Sequence, residues 1–307
     1  MLFKRLVFLI ACGFLWSFSA VSPARSDDGC RDDWRPVISF VEFQSLDLGQ
    51  QPPTPLTVKG KLKLPVRFQW RKRCFLPDKN LPAVVILHGS AGVDFRGDFY
   101  ARELNAAGIA TFEIDMWEAR GVTGAADRPP VPLITYPDAF GALKFLSAHP
   151  NIDPERIGVM GFSWGGAVTL ASATELYANK FGGELRFSAH VAHYPVCYAA
   201  NSAIPGSEFY DLTGAPILIQ IGEEDDYDNG SAPCFALKNS LDPEEQSMVE
   251  VISYEGAFHG WDRLEVPIKV EDPFSNRGDG GEVEIVPNAA LAYEARKKVV
   301  RFFRDHL

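Results

Sequence analysis

Several residue types are scarce in this chain. Its 307 residues include five cysteines, four methionines and six histidines. Lys and Arg number 30 against 40 Asp and Glu, a formal net charge of −10. A chain with no cationic excess and no basic stripe lacks the footprint for a phosphate backbone, which argues against nucleic acid or an anionic membrane as partner. No apolar run beyond residue 26 approaches the roughly 20 residues that a bilayer span needs. No internal repeat and no linker-like stretch divides the chain, so residues 27–307 read as one domain. With 46% hydrophobic residues, that domain can bury a large core.

Residues 1–26 differ in kind. Lys4 and Arg5 precede an apolar run from residue 6 to residue 20, then Pro23 and small residues before Asp27. This is the layout of a secretory signal peptide, with Ala24 or Ser26 as the last residue removed and an apolar run too short for an anchor. Leu9-Ile10-Ala11-Cys12 resembles a lipobox, but the apolar stretch before Cys12 is short and the residues after it stay apolar. The expected location is periplasmic or extracellular. Removal leaves Cys30, Cys74, Cys197 and Cys234, an even number in an oxidising compartment, with three possible pairings. Cys30 with Cys74 would tie the N-terminus to the first hairpin. Cys197 with Cys234 would join two loops that follow strands at the same sheet edge. Four buried thiols are the alternative.

What is present is an ordered alternation of strand and helix. Residues 37–43 and 56–64 read as an antiparallel opening, the latter with the polar and apolar alternation of a half-exposed strand. Runs at 83–87, 109–114, 156–160, 187–193, 217–221 and 249–254 read as strands, and 99–107, 138–147, 167–178, 232–240 and 288–303 as helices. Such alternation predicts an α/β fold: a mostly parallel, doubly wound sheet with helices on both faces. Residues 262–286 form one long irregular segment.

At the centre lies Gly161-Phe162-Ser163-Trp164-Gly165, a G-x-S-x-G between an apolar run and a helix-favouring segment. In that context it is a nucleophile elbow, with glycines letting strand and helix approach while Ser163 holds a strained turn. A Ser hydroxyl needs a base, and the base needs a group to fix its tautomer. In sheets of this type active residues sit on loops beyond the carboxyl ends of strands. The two loops in question are Gly222-Glu223-Glu224-Asp225-Asp226-Tyr227-Asp228 and Glu255-Gly256-Ala257-Phe258-His259-Gly260-Trp261. The resulting order Ser, Asp, His is that of α/β-hydrolases.

His259 is the expected base. His149 and His306 read as surface residues, and His88 as a structural strand end. His190 and His193 face opposite sides of a strand and make a poor metal pair. Asp225, three residues beyond Gly222, is the expected acid, with Asp226 as the alternative. An oxyanion needs two backbone donors, and the Trp164 and Ser90 amides are the candidates, the latter from the turn His88-Gly89-Ser90-Ala91-Gly92. Arg277-Gly278-Asp279 reads as a turn. Asp272, Asp279, Glu282 and Glu284 match no calcium-loop spacing.

The chain resembles the dienelactone hydrolase family of α/β-hydrolases over roughly residues 55–307. PAVVILHGSAG, Asp115 with Arg120-Gly121-Val122, NIDPERIGVMGFSWGG, YPVC, PILIQIGEEDDYDNGSAPC and YEGAFHGWD carry the resemblance. It implies an α/β-hydrolase fold with Ser163 as nucleophile, Asp225 as acid and His259 as base. The founding enzymes carry Cys where this chain has Ser163, so hydrolase chemistry is implied more firmly than dienelactone as substrate. Arg120 resembles a position near the active-site mouth, where it would meet a substrate carboxylate; the competing reading is an ion pair with Asp115.

These readings converge on hydrolysis of a small carboxylic ester or lactone through an acyl-enzyme, with no cofactor or metal implied. Phe95, Trp117, Trp164, Tyr194, Phe258 and Trp261 are expected around the mouth as an aromatic pocket. The alternatives are a serine peptidase of related fold, usually bearing an extra gating domain for which this length leaves no room, and a non-catalytic secreted binding protein. Nothing in the residues specifies the oligomeric state.

Overall fold

The computed structural model describes residues 30–202 and 204–307, so the signal-peptide and lipobox expectations lie outside the described residues. In chain order the strands are β1 (Val37–Asp47), β2 (Thr54–Leu64), a short pair β3 (Val66–Gln69) and β4 (Cys74–Pro77), then β5 (Leu81–Leu87), β6 (Ala110–Asp115), β7 (Ile152–Phe162), β8 (Ala189–His193), β9 (Ile217–Glu224) and β10 (Val249–Phe258). A second short pair, β11 (Ile268–Asp272) and β12 (Gly281–Ile285), follows. The helices are α1 (Phe95–Ala106), α2 (Tyr136–Ser147), α3 (Trp164–Ser172), α4 (Glu175–Tyr177), α5 (Cys197–Asn201), α6 (Ala232–Asn239), α7 (Pro243–Met248) and α8 (Ala289–His306).

Eight strands form one sheet in the order β1-β2-β6-β5-β7-β8-β9-β10. The pairs β1/β2 and β2/β6 are antiparallel and the rest parallel. This is the mostly parallel sheet expected, and its pattern explains why. In β5, Val84 and Ile86 pack into one core with α1, α6 and α8, whereas Ala83, Val85 and Leu87 pack into the opposite core with α2. A strand covered on both faces must be apolar at every position, hence its unbroken run.

Two departures from the sequence reading stand out. The segment 262–286 is not irregular: β11 and β12 pair across it as an antiparallel hairpin. Its strands alternate charge (Lys269, Glu271, Glu282 and the half-buried Glu284) with apolar residues, a pattern obscured by the Gly-rich turn between them. The helix expected over 167–178 ends at Ser172, and a buried break at residues 173–174, with Thr174 bridging to Leu212, separates it from α4. Both expected disulfides are present, Cys30–Cys74 and Cys197–Cys234. The first anchors the N-terminal segment to β4 in the β3/β4 hairpin.

His190 and His193 are fully buried in β8, and desolvation pushes both down to about 4. An unfolded chain keeps them near the ordinary value of about 6.5, so between the two values it binds more protons than the native state. Their contribution to stability is therefore present above about pH 6.5 and is lost as pH falls toward 4, by roughly 3 kcal/mol each at most. Melting temperatures measured from pH 7 to pH 4 should fall steadily, and His193→Gln should show a shallower slope than the native chain. Equal slopes would mean that other groups carry the acid sensitivity.

Candidate active site

The site begins where β7 runs into α3. Ser163 sits between them at φ +51° and ψ −108°, a backbone conformation L-residues rarely adopt. It is held there by its neighbours. A Cβ on Gly161 would lie 2.1 Å from the Gly165 carbonyl oxygen, and one on Gly165 would lie 2.4 Å from that of Leu87. Glycine at 161 lets β7 and α3 cross closely, and glycine at 165 lets α3 pass against the end of β5. The Ser163 amide donates to the His193 carbonyl at 2.9 Å, tying the turn to β8.

The Ser163 Oγ lies 2.9 Å from His259 Nε2, and His259 Nδ1 lies 2.8 Å from Asp225 Oδ2. A carboxylate accepts, so Nδ1 carries the proton and Nε2 is left to accept from the hydroxyl. Asp225 is almost fully buried, and its other oxygen accepts from the Tyr227 amide at 2.9 Å. His259 stands just beyond the end of β10. Its ring is flanked by Tyr194 at 4.7 Å and Tyr227 at 4.3 Å between centroids.

Asp226 and Asp228 are engaged elsewhere. Asp226 Oδ2 accepts from the Glu284 amide at 2.7 Å, fixing the acid loop to the β11/β12 hairpin. Asp228 accepts from the amides of Cys197 and Tyr198 at 2.8 and 2.7 Å. Burial pushes Asp228 up to about 7, with the nearby Asp225 adding to the effect. Because Cys197 and Cys234 are bonded to each other, their grouping with Asp228 is a braced loop junction and not a thiolate metal site.

The turn carrying Ser90 lies against Ser163: a Cβ on Gly89 would come within 3.8 Å of Ser163 Cβ. The Ser90 carbonyl accepts from Trp117 Nε1 at 3.0 Å, and His88 Nε2 accepts from the Met116 amide at 2.9 Å. His88 is thus a structural strut, its pKa lowered by burial. Trp164 opens α3, where the helix supplies no acceptor for its amide.

The expected substrate contacts need correction. Arg120 is not at the mouth: its guanidinium forks onto the buried Asp138 at 2.7 and 3.1 Å and also donates to three backbone carbonyls. Its partner is Asp138, not Asp115, whose carboxylate instead caps the Trp117 and Glu118 amides. Trp117 and Tyr194 are buried behind the site, Trp117 under the Ser90 turn and Tyr194 against His259. Phe258 ends β10 and, like Trp261 and Phe95, does not line the nucleophile's compartment as expected. That expectation treated loop aromatics as wall, whereas burial makes most of them support. Beside Trp164, the walls come from residues the sequence reading did not assign to the pocket, notably Arg128, Pro130, Val196, Tyr227, Asp272 and Phe274. Arg128 pairs with Asp272 through both carboxylate oxygens at 2.9 and 2.8 Å, joining the β6–β7 connection to the end of β11. Within the quoted YPVC stretch Tyr194 and Val196 both hold positive φ, at +37° and +61°, which marks a constrained backbone there.

A sequence model described as the dienelactone hydrolase family matches residues 71–307. The chain belongs to the dienelactone hydrolase family. It is 34% identical over 119 residues to the thiohydrolase aneE of Aspergillus aculeatus, a match covering 38% of this chain and 35% of that protein. The match thus spans about a third of the length of that curated relative. Among solved structures, the chain is similar to a dienelactone hydrolase-like promiscuous phosphotriesterase from metagenomic libraries, with a TM-score of 0.57, 17% identity, and 88% of this chain and 98% of that one covered. It is also similar to a dienelactone hydrolase from Anabaena variabilis, with a TM-score of 0.56, 19% identity, and coverage of 89% and 99%. At those identities the likeness shows the fold, that of the α/β-hydrolases.

Two measurements follow from this arrangement. Asp225→Asn should lower the rate of ester cleavage by up to about ten-thousand-fold through loss of His259 orientation, and Asp226→Asn by far less. Equal losses would move the acid. Reduction of Cys197–Cys234, which closes a 37-residue separation, should cost on the order of 4 kcal/mol and weaken catalysis before the fold is lost. Unchanged activity and melting temperature after verified reduction would show that the bridge does not brace the acid loop.

Proposed function

We propose that the protein is a serine hydrolase that cleaves a small carboxylic ester or lactone through an acyl-enzyme. The observation that carries this is the continuous relay Ser163 Oγ, His259, Asp225, with both hydrogen bonds at 2.8–2.9 Å. Ser163 Oγ attacks the carbonyl carbon as its proton passes to His259 Nε2, and Asp225 stabilises the resulting imidazolium. The amides of Trp164 and Ser90 receive the oxyanion. Collapse of the tetrahedral intermediate breaks the bond to the leaving oxygen, which takes the proton from His259. A water, deprotonated by His259, then attacks the acyl-Ser163 ester, and the proton returns to Ser163 as the acid departs. Cleavage of a thioester follows the same steps, and the likeness to a thiohydrolase favours including it as a second substrate class.

Export after removal of residues 1–26 is part of the same reading, and the two disulfides support it, since such bridges persist in oxidising compartments. We further read residues 27–307 as one catalytic domain. The complete relay favours an enzyme over a binding protein that has lost turnover.

A fluorophosphonate probe should label Ser163 stoichiometrically, with loss of esterase activity and a matching mass increase on the peptide containing it. Labelling at another residue, or none in folded protein, would remove the serine-hydrolase reading.

A further inference from the structure

Ser163 stands at the junction of two compartments of unlike shape and polarity. One is a trough of about 770 Å³ that includes His259, Gly260, Arg263, Ile268, Val270 and Ile285. The other is a slot of about 110 Å³ that includes Val131, Pro132, Trp164, Ala167, Val196 and Ala199. Ser90, Arg128, Tyr227 and Asp272 line both. The bidentate Arg128–Asp272 pair is therefore a shared wall, held from behind by the Tyr227 hydroxyl, which donates to Asp272 Oδ2 at 2.8 Å.

The chemistry decides which part of a substrate enters which compartment. The leaving oxygen must take its proton from His259, so the leaving group has to lie on the His259 side of Ser163. His259 lines the trough and not the slot. The acyl chain then extends away from His259, past Trp164, into the slot. We propose, resting on the serine-hydrolase reading above, that the substrates are esters of short apolar acids with bulky, uncharged leaving groups, and that the Arg128–Asp272 wall separates the two halves.

Size sets the acyl limit. A cavity of about 150 Å³ holds benzene, so 110 Å³ holds a chain of about four carbons. A trough of 770 Å³ falls in the range that encloses a drug-sized group. Charge sets the leaving-group preference. Each guanidinium at the trough already has a carboxylate: Arg96 with Asp94, Arg128 with Asp272 and Arg263 with Glu265. An anionic leaving group would have to displace one of these partners, whereas a neutral one displaces none.

Two ester series test this on the purified protein. With 4-nitrophenol as the common leaving group, kcat/KM should be highest for acetate to butyrate and at least tenfold lower for octanoate. With butyrate as the common acyl group and ethyl, hexyl and decyl alcohols of similar basicity, kcat/KM should vary less than threefold. Ala199→Phe should lower the butyrate-to-acetate ratio at least tenfold and leave the alcohol-series ratios alone. Val196→Ala should move the acyl optimum to longer chains, which keeps the test decisive if the larger residue prevents folding. Val270→Trp should penalise decyl relative to ethyl butyrate without changing acyl preference. A flat acyl series, or acyl preference that follows Val270→Trp, would overturn the assignment. Absence of both turnover and Ser163 labelling would instead defeat the underlying hydrolase reading.

Discussion

The close crossing of β7 and α3 is the constraint on which the site depends. With no side chain at Gly161, β7 and α3 touch, with none at Gly165 α3 also passes against the end of β5, and between the two glycines Ser163 is held at positive φ. That strain lifts the hydroxyl above the carboxyl edge of the sheet, where the loops after β9 and β10 deliver Asp225 and His259. The parallel order β7-β8-β9-β10 matters here, because it brings loops nearly a hundred residues apart to one edge.

Behind His259 lies a buried polar chain that holds its loop in place. Asp262, three residues on, accepts from the Tyr100 hydroxyl at 2.8 Å and from the Tyr194 hydroxyl at 2.5 Å. Tyr194 in turn accepts from Arg96 Nη1 at 2.8 Å, and Arg96 is paired with Asp94 at the start of α1. All of these except Asp94 are almost completely buried. A buried charge with its partners in place is tolerated, and one stripped of a partner costs several kcal/mol, so the chain permits one arrangement of the loop and penalises others. Tyr194 contributes doubly, since its ring also packs edge-on against the His259 imidazole.

The parallel core and the elbow were legible in the sequence because each is dictated by local rules. A strand buried on both faces must be a continuous apolar run, and a strained turn between strand and helix must be flanked by glycine. The acid was narrower than the sequence made it: five carboxylates shared one loop, and only the fold shows that Asp226 is spent on the Glu284 amide and Asp228 on the start of α5. The pocket was not legible. Arg120 and Asp138 are 18 residues apart, and Arg128 and Asp272 are 144 apart, so no local pattern announces either pair. Aromatic residues near the catalytic loops looked like pocket lining, but a large apolar ring gains more by burial than by facing a wet cleft, and Trp117 and Tyr194 went inward.

The β11/β12 hairpin links these levels. It was hidden in the sequence, yet it touches every part of the acid side of the site. Its turn supplies the Asn276 amide to the Asp226 carbonyl at 2.8 Å and the Arg277 amide to the Tyr227 carbonyl at 2.9 Å. Arg277 Nε adds a bond to the Asp228 carbonyl at 3.0 Å, so the exposed Arg277-Gly278-Asp279 turn clasps the acid loop. Through Asp272 the same hairpin also reaches Arg128 and Tyr227. The segment that shapes the substrate compartments is thus hydrogen-bonded to the backbone that positions Asp225. The wall of the compartments and the loop that carries Asp225 therefore share one structural element in this fold.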